Sequence, residues 1–545
     1  MLIRSVAWVL GVCVSIGVGA NDRSCYWKTK CSEQLFATKT PYDDVRGDIR
    51  DWPLLNGCRA ISLWALVRHG NRNPGESQTI DMRDLQARIK DDIVEHFDYE
   101  MGTSQLCAQD IYDLRKWQWN TTMDTSASYL TGTGYEEIYQ LGVRLVQKYP
   151  LLFTYPFDGY VRPTNKQRTI TSAMAFAHGI TDEAQMSNLI VDEPRESDDV
   201  LRPYDNCPRY TREVKDGQLL ADQLDAFYKT PEYLQVQKSV NERLGISQQL
   251  SVEDIFILYE LCRFYRTWSL QQKTPWCAAF SSEDLLVLEY RDDVRHYYRN
   301  AYGSPLNAKL ARPVLKDLYE NINSARYGEG KPVVVYFAHD TLLSMVYSAL
   351  GLYQDKATIT APHRDPNRLW KTSHLASFSA NIMVFLNKCS DEYKVQIFNN
   401  EKPTTLCPLE GCTWDQFVAI FQPFTDANLD FCNEELNYVA GDAAALLLRI
   451  LFPSCRNRYT YLSTHVSLSI FMCPHYCRPE LHYGLHLFQF CFFRLSGAVT
   501  HHHPNAYCLA FYINIFLFSS LKVLSISCFN LEFKMIYSEE SVNAL

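Results

Sequence analysis

The stretch Leu63 to Gly75, "LWALVRHGNRNPG", sets two arginines and a histidine within five positions behind an apolar run. Arg68 and Arg72 can each offer phosphate oxygens a planar fork of N–H donors, a geometry lysine lacks. Between them, His69 can attack phosphorus through an imidazole nitrogen once the anion's charge is neutralised. Gly70 lets the backbone turn sharply and approach closely. A phosphoryl group has more oxygens than two arginines satisfy, so further donors are expected from distant sequence. Arg168, in "KQRTITSA", and His339, in "PVVVYFAHDTLL", are the candidates. Arg162 competes for the role of third arginine, and the "QRTITSA" context favours Arg168. Asp340 is placed to protonate a departing alkoxide, while His339 adds positive charge for the transition state.

Three strands must carry these groups. Ile61 to Val67 is short and apolar, bounded by Gly57 upstream and by Gly70 and Pro74 downstream, which predicts a buried strand entering a loop. A second strand is expected at 158–162, followed by a helix from about Gln167, and a third ends just before His339. Each polar group then lies at a strand's carboxyl end, where open α/β sheets bind ligands. Helices are expected from Met82 to Glu100 and from Glu136 to Tyr149, and further strands from Ala380 to Leu386 and Tyr393 to Phe398. Residues 190–300 are charged, aromatic and helix-leaning.

A formal charge of −9 over 545 residues argues against nucleic acid as the partner, so the basic cluster is a local device for a small anion. The first twenty residues hold one basic residue, Arg4, then an apolar stretch from Val6 to Val18 and the small pair Gly19 and Ala20, which reads as a secretory leader. Of the 18 cysteines, eleven lie between Cys25 and Cys432, so disulfides and one left-over thiol are expected. Asn120-Thr121-Thr122 is a glycosylation sequon. Beyond about 440 the composition changes: few charges, half of the histidines, and no helical or strand period. "CPHYC" and "HHHP" in that tail resemble metal ligands only superficially, and no metal site is assigned. Membrane attachment through the tail is left open. His178 reads as a packed core histidine, Trp117 and Trp119 as packing, and Asp43, Asp44, Asp198 and Asp199 as solvated charge.

The quoted residues carry a resemblance. "RHGNRNP" fits the R-H-G-x-R-x-P signature of the histidine phosphatases, acid-phosphatase branch, and "AHDT" fits that branch's His-Asp element. Within the branch, "LRPYDNCPRY", "TPWCAAF" and "LEYRDDVRHYYRNAYGSPLN" resemble the multiple inositol polyphosphate phosphatases. The resemblance spans roughly 60 to 400. It implies that His69 becomes phosphorylated, that Arg68, Arg72, Arg168 and His339 hold the phosphate, and that Asp340 donates the proton, with no metal and no cofactor. It also implies an α/β core, a mainly parallel sheet flanked by helices, with an inserted helical cap. The expected organisation is a leader at 1–20, a lead-in at 21–60, the core at 61–190 and 301–440, the cap at 191–300, and an apolar tail at 441–545 that is not a folded domain. The implied activity is removal of phosphate from phytate and lower inositol phosphates, and by family resemblance from 2,3-bisphosphoglycerate, in a secreted or endoplasmic-reticulum protein. One departure stands out: that group commonly carries His-Ala-Glu where this chain has His339-Asp340, a form found in general acid phosphatases. A broad-specificity acid phosphatase is therefore the rival reading, and an inactive phosphate-binding protein on the same fold is another.

Overall fold

The computed structural model describes Cys25, residues 36–99, 104–154, 156–181, 191–268 and 274–433, and four C-terminal strand segments. The chain divides into two compact units, residues 1–437 and 438–545. The first is built on a mixed sheet of β1 (Arg59–Arg68), β2 (Gly159–Pro163), β3 (Val333–Ala338), β4 (Asn381–Lys388), β5 (Tyr393–Asn399), β6 (Lys402–Pro403) and β7 (Cys412–Thr413). The order is β2-β3-β1-β4-β5-β6, with β7 also on β5. Strands β2, β3 and β1 run parallel, and β4 onward is antiparallel. Register aligns Arg68 with Ala338 and Pro163 with Phe337, so the carboxyl ends of the three parallel strands meet at one edge.

Period-two alternation explains why these runs are strands buried on both faces. Leu63, Ala65, Val67, Val333, Val335 and Phe337 face one core layer, with Ile138, Leu141, Leu145 and Phe176 of the helices Gly132–Lys148 and Gln167–Ile180. Trp64, Leu66, Val334 and Tyr336 face the other, with Leu315, Leu318 and Ile322 of the helix Arg312–Arg326 and Leu342 and Val346 of the helix Asp340–Ala349. Each such aliphatic side chain contributes about 1.5–3 kcal/mol by leaving water. The sheet is thus fixed between two helical layers, and its carboxyl edge is a rigid platform.

Residues 208–300 contain helices and no strand among the described residues. Local chemistry sets their limits. The helix Pro231–Leu244 starts where the Thr230 hydroxyl accepts from Tyr233 N and Pro231 occupies the first turn, and it stops at Gly245, whose φ of 67° suits glycine. The helix Ser282–Asn300 begins with a capping box between Ser281 and Asp284. Among the described residues, five disulfides join Cys25 to Cys107, Cys58 to Cys389, Cys207 to Cys432, Cys262 to Cys277 and Cys407 to Cys412. Cys31, the eleventh body cysteine, lies outside the described residues, as does the leader at 1–20.

In the second unit the described residues are β8 (Gln489–Phe490), β9 (Phe511–Phe518), β10 (Leu521–Cys528) and β11 (Leu531–Ser538), an antiparallel sheet in the order β11-β10-β9-β8. No strand period was legible there because β9, "FYINIFLF", is nearly continuously apolar and does not alternate. Among the described residues no helix is long and apolar enough to cross a membrane.

Candidate active site

Strand β1 delivers Arg68 at its last position, with 1% of the residue exposed. Its Nη1 donates to the carbonyls of Thr38, at 2.5 Å, and Ala376, at 2.8 Å, and the guanidinium lies 4.6 Å over the Phe378 ring. Those contacts fix the fork and leave Nε buried without a hydrogen-bond partner among the described residues. His69 follows, also buried. Its backbone N–H donates to Ala338 of β3, and its carbonyl accepts from Ser379 N. Nδ1 lies 2.8 Å from the Gly70 carbonyl, which can only accept, so Nδ1 carries the proton and Nε2 keeps its lone pair. Burial, then Arg168, Arg68, His339 and Arg72, push the His69 pKa well below its ordinary value, so the imidazole is neutral and nucleophilic.

Backbone contact sets the loop behind His69. A Cβ on Gly70 would fall 2.2 Å from the Gly134 carbonyl, so the loop rests directly on the first turn of the helix Gly132–Lys148. From that turn Glu137, itself buried, accepts from Asn71 N at 3.0 Å, Ser379 Oγ at 2.8 Å and Tyr42 N at 3.4 Å. One carboxylate therefore clamps the loops on both sides of His69.

The strand β2 segment supplies Arg168 at the start of the helix Gln167–Ile180, where its Nη2 lies 3.4 Å from His339 Nδ1. Arginine can only donate, so this Nδ1 accepts and the other nitrogen, Nε2, donates to Thr164 Oγ1 at 3.0 Å. Burial and Arg168 lower the His339 pKa well below the usual histidine range. The His69 and His339 rings are 5.5 Å apart, edge to face. Arg72 Nη1 donates to its neighbour's carbonyl, Asn73 O, at 2.7 Å. The Nε atoms of Arg72 and Arg168 are buried without protein partners, and burial together with a neighbouring arginine pushes each pKa down to about 10.

Arg162 is different. It forms a buried ion pair with Asp198, so its charge is already neutralised. That leaves Arg168 as the arginine facing the histidines. It also corrects the reading of Asp198 as solvated charge: the residue is 2% exposed and serves as the counter-ion of Arg162. Asp43, Asp44 and Asp199 are exposed. His178 is only partly buried, bonded to the Tyr135 hydroxyl, and Trp117 packs edge-on against Trp119, Tyr265 and Trp276.

Asp340 opens the helix after β3, one-fifth exposed, with Oδ1 3.8 Å from Arg68 Nε and Oδ2 3.8 Å from His296 Nδ1. Burial alone would raise its pKa, but Arg68, the charged form of His296, Lys39 and the charged form of His339 outweigh it and draw the carboxyl well below the usual range. A phosphate dianion placed among the arginines acts in the opposite direction, by like-charge repulsion. Sequence reasoning missed Lys39, Glu137 and His296. Lys39 and Glu137 stand in no motif, and His296 lies in the stretch 288–307 without a catalytic signature of its own: each reaches the site through partners dozens to hundreds of positions away.

The arrangement has relatives. Residues 61–400 match the family described as histidine phosphatase superfamily (branch 2). The chain is 30% identical over 427 residues to multiple inositol polyphosphate phosphatase 1 of Drosophila melanogaster, covering 75% of this chain and 90% of the relative. It is 26% identical over 402 residues to the Homo sapiens protein of that name, covering 67% and 81%. Among solved structures, the phytase from D. castellii superposes with a TM-score of 0.60 at 16% identity, covering 75% of this chain and 90% of that one. The Bifidobacterium longum multiple inositol polyphosphate phosphatase, solved with inositol hexasulfate, gives 0.54 at 13% identity, covering 69% and 94%. With a match that spans more than half of its length, from β1 to the end of β5, the chain belongs to the histidine phosphatase superfamily, branch 2.

Proposed function

We propose that the protein is a phosphomonoesterase that removes phosphate from inositol polyphosphates through a phosphohistidine on His69. One observation carries the reading: Arg68, Arg72 and Arg168 each bring a buried, unpaired Nε to the edge where β1, β2 and β3 end, and other arginines are among their nearest charges. Concentrated like charge that Asp340 offsets only in part is costly, and a multiply charged anion relieves it. The relatives named for inositol polyphosphate dephosphorylation support the substrate class.

His69 Nε2 attacks phosphorus and the P–O bond breaks, while Asp340 protonates the leaving oxygen. Water then attacks the phosphohistidine, giving its proton to Asp340, and the P–N bond breaks to release phosphate. Arg68, Arg72 and Arg168 hold the phosphoryl oxygens, and His339 joins them once the bound anion draws Arg168 off its Nδ1 and that nitrogen takes a proton, together doing the charge work a metal ion does elsewhere. Five disulfides among the described residues support a secretory, oxidising location.

The test is phosphate release from phytate and from an aryl phosphate at mildly acidic pH by the full chain, with chelator present and His69→Ala as control. Turnover of phytate that the substitution abolishes is expected. Hydrolysis of the aryl ester alone would make this a general acid phosphatase, and binding without turnover of either would make it a phosphate-binding protein.

A further inference from the structure

His296 belongs to the helix Ser282–Asn300, in the stretch 288–307 but with no role assigned from sequence, and its imidazole is buried against the acid of the site. Its Nδ1 lies 2.9 Å from Asn300 Nδ2 and 3.8 Å from Asp340 Oδ2. An amide nitrogen donates, so Nδ1 is the acceptor in that bond and has no proton to offer the carboxyl. Its other nitrogen, Nε2, is buried with no hydrogen-bond partner among the described residues, so its polar contacts with Asn300 and Asp340 both run through Nδ1. Arg68 Nε stands at the same 3.8 Å from the other carboxyl oxygen. The Asp340 carboxyl is therefore suspended between an arginine of the core and a histidine of the helical segment, touching neither.

We propose that His296 is a positioning residue for Asp340: anchored by Asn300, it keeps the carboxyl from closing onto Arg68 and so keeps its proton available for an alkoxide leaving group. This rests on the phosphatase reading above. The charged and titratable groups around Asp340 include Arg68 from β1, His339 beside it, Lys39 from the N-terminal segment, His296 and Arg295 from the helix Ser282–Asn300, Arg72, Arg168 and Tyr204; around His296 they include Asp340, Arg295, Asp292 and Lys39. Burial lowers the His296 pKa to about 3, so at mildly acidic pH the imidazole is neutral and gives the carboxylate no positive charge. Arg68 does the reverse. Without the imidazole, the carboxyl is free to form a direct ion pair with Arg68, which holds it as the carboxylate and withdraws the proton.

Leaving groups separate this role from a merely structural one. An inositol alkoxide needs a proton to depart, whereas nitrophenolate departs without one. The measurement is kcat for phytate and for p-nitrophenyl phosphate across pH in wild type, His296→Ala, His296→Asn and Asp340→Asn. His296→Ala is expected to lose about tenfold or more on phytate and less than about threefold on the aryl ester, within the range general acids supply. Its phytate optimum moves to lower pH. His296→Asn, which returns an amide near the Nδ1 position, restores most of the loss, and adding His296→Ala to Asp340→Asn costs nothing more on phytate. Equal losses on both esters, or an unmoved phytate optimum, overturn the proposal while leaving the phosphatase reading intact. A wild type that cleaves neither ester overturns both.

Discussion

Replacing Glu137 by glutamine tests whether the loop bearing His69 is held by a carboxylate kept against its own ionisation. Glu137 is 5% exposed, takes hydrogen bonds from Ser379, Asn71 and Tyr42, and has no ion-pair partner among the described residues. Burial raises its pKa from 4.5 to about 7, and the three donors offset only part of that rise. A native pKa above the unfolded one means that the native state binds the proton more tightly. The contribution of Glu137 to stability is therefore fully present below pH 4.5 and is lost as pH rises through 7. Moving a carboxyl from 4.5 to about 7 corresponds to about 3 kcal/mol. Glutamine keeps the shape but cannot ionise, and its NH2 group faces a donor where the second carboxylate oxygen stood, at about 1–3 kcal/mol irrespective of pH. Urea unfolding of both proteins between pH 4 and 8 measures the difference, in which all other titrating groups cancel. The variant should be the weaker protein at the acid end, and the gap should close or reverse by about 3 kcal/mol at the alkaline end. A gap that stays constant across this range would refute the reasoning.

Other substitutions separate site from scaffold. Arg168→Ala should lower kcat/KM for phytate about 10²–10³-fold with little change in unfolding midpoint, whereas Arg162→Ala should cost about 3–5 kcal/mol in urea unfolding by stranding Asp198. A Cβ at Gly134 would sit 2.1 Å from the Asn71 carbonyl, so Gly134→Ala must displace the loop after His69. Its kcat should fall while unfolding shows a loss of about 1–3 kcal/mol. Cys58→Ser with Cys389→Ser opens a bridge between the start of β1 and the loop after β4, 331 positions apart; stability should drop by about 2–5 kcal/mol with kcat unchanged in the folded fraction.

Much of the platform was legible because three apolar runs each end in a residue that makes no sense in a core: Arg68 after β1, the Arg162 to Arg168 segment after β2, and His339 after β3. Periodicity named the strands, but it carries no direction, so the antiparallel course of β4 and β5 was not readable. The choice between Arg162 and Arg168 depended on a counter-ion, and Asp198, one of two adjacent aspartates, looks solvated until the fold buries it. Lys39, Glu137 and His296 were invisible for a related reason. Their roles come from neighbours such as Ser379, 242 positions from Glu137, and composition around each is that of an ordinary helix or loop.

The central claim is a covalent phosphohistidine on His69, and trapping it is the most direct test. The full chain is mixed with phytate, quenched in alkali, where phosphohistidine survives, digested and mapped by mass spectrometry. The account predicts one added phosphoryl group on the peptide containing His69, absent from His69→Ala, and accumulating when Asp340→Asn slows the water step for an aryl phosphate. Phytate turnover with no adduct, and undiminished by His69→Ala, would contradict it.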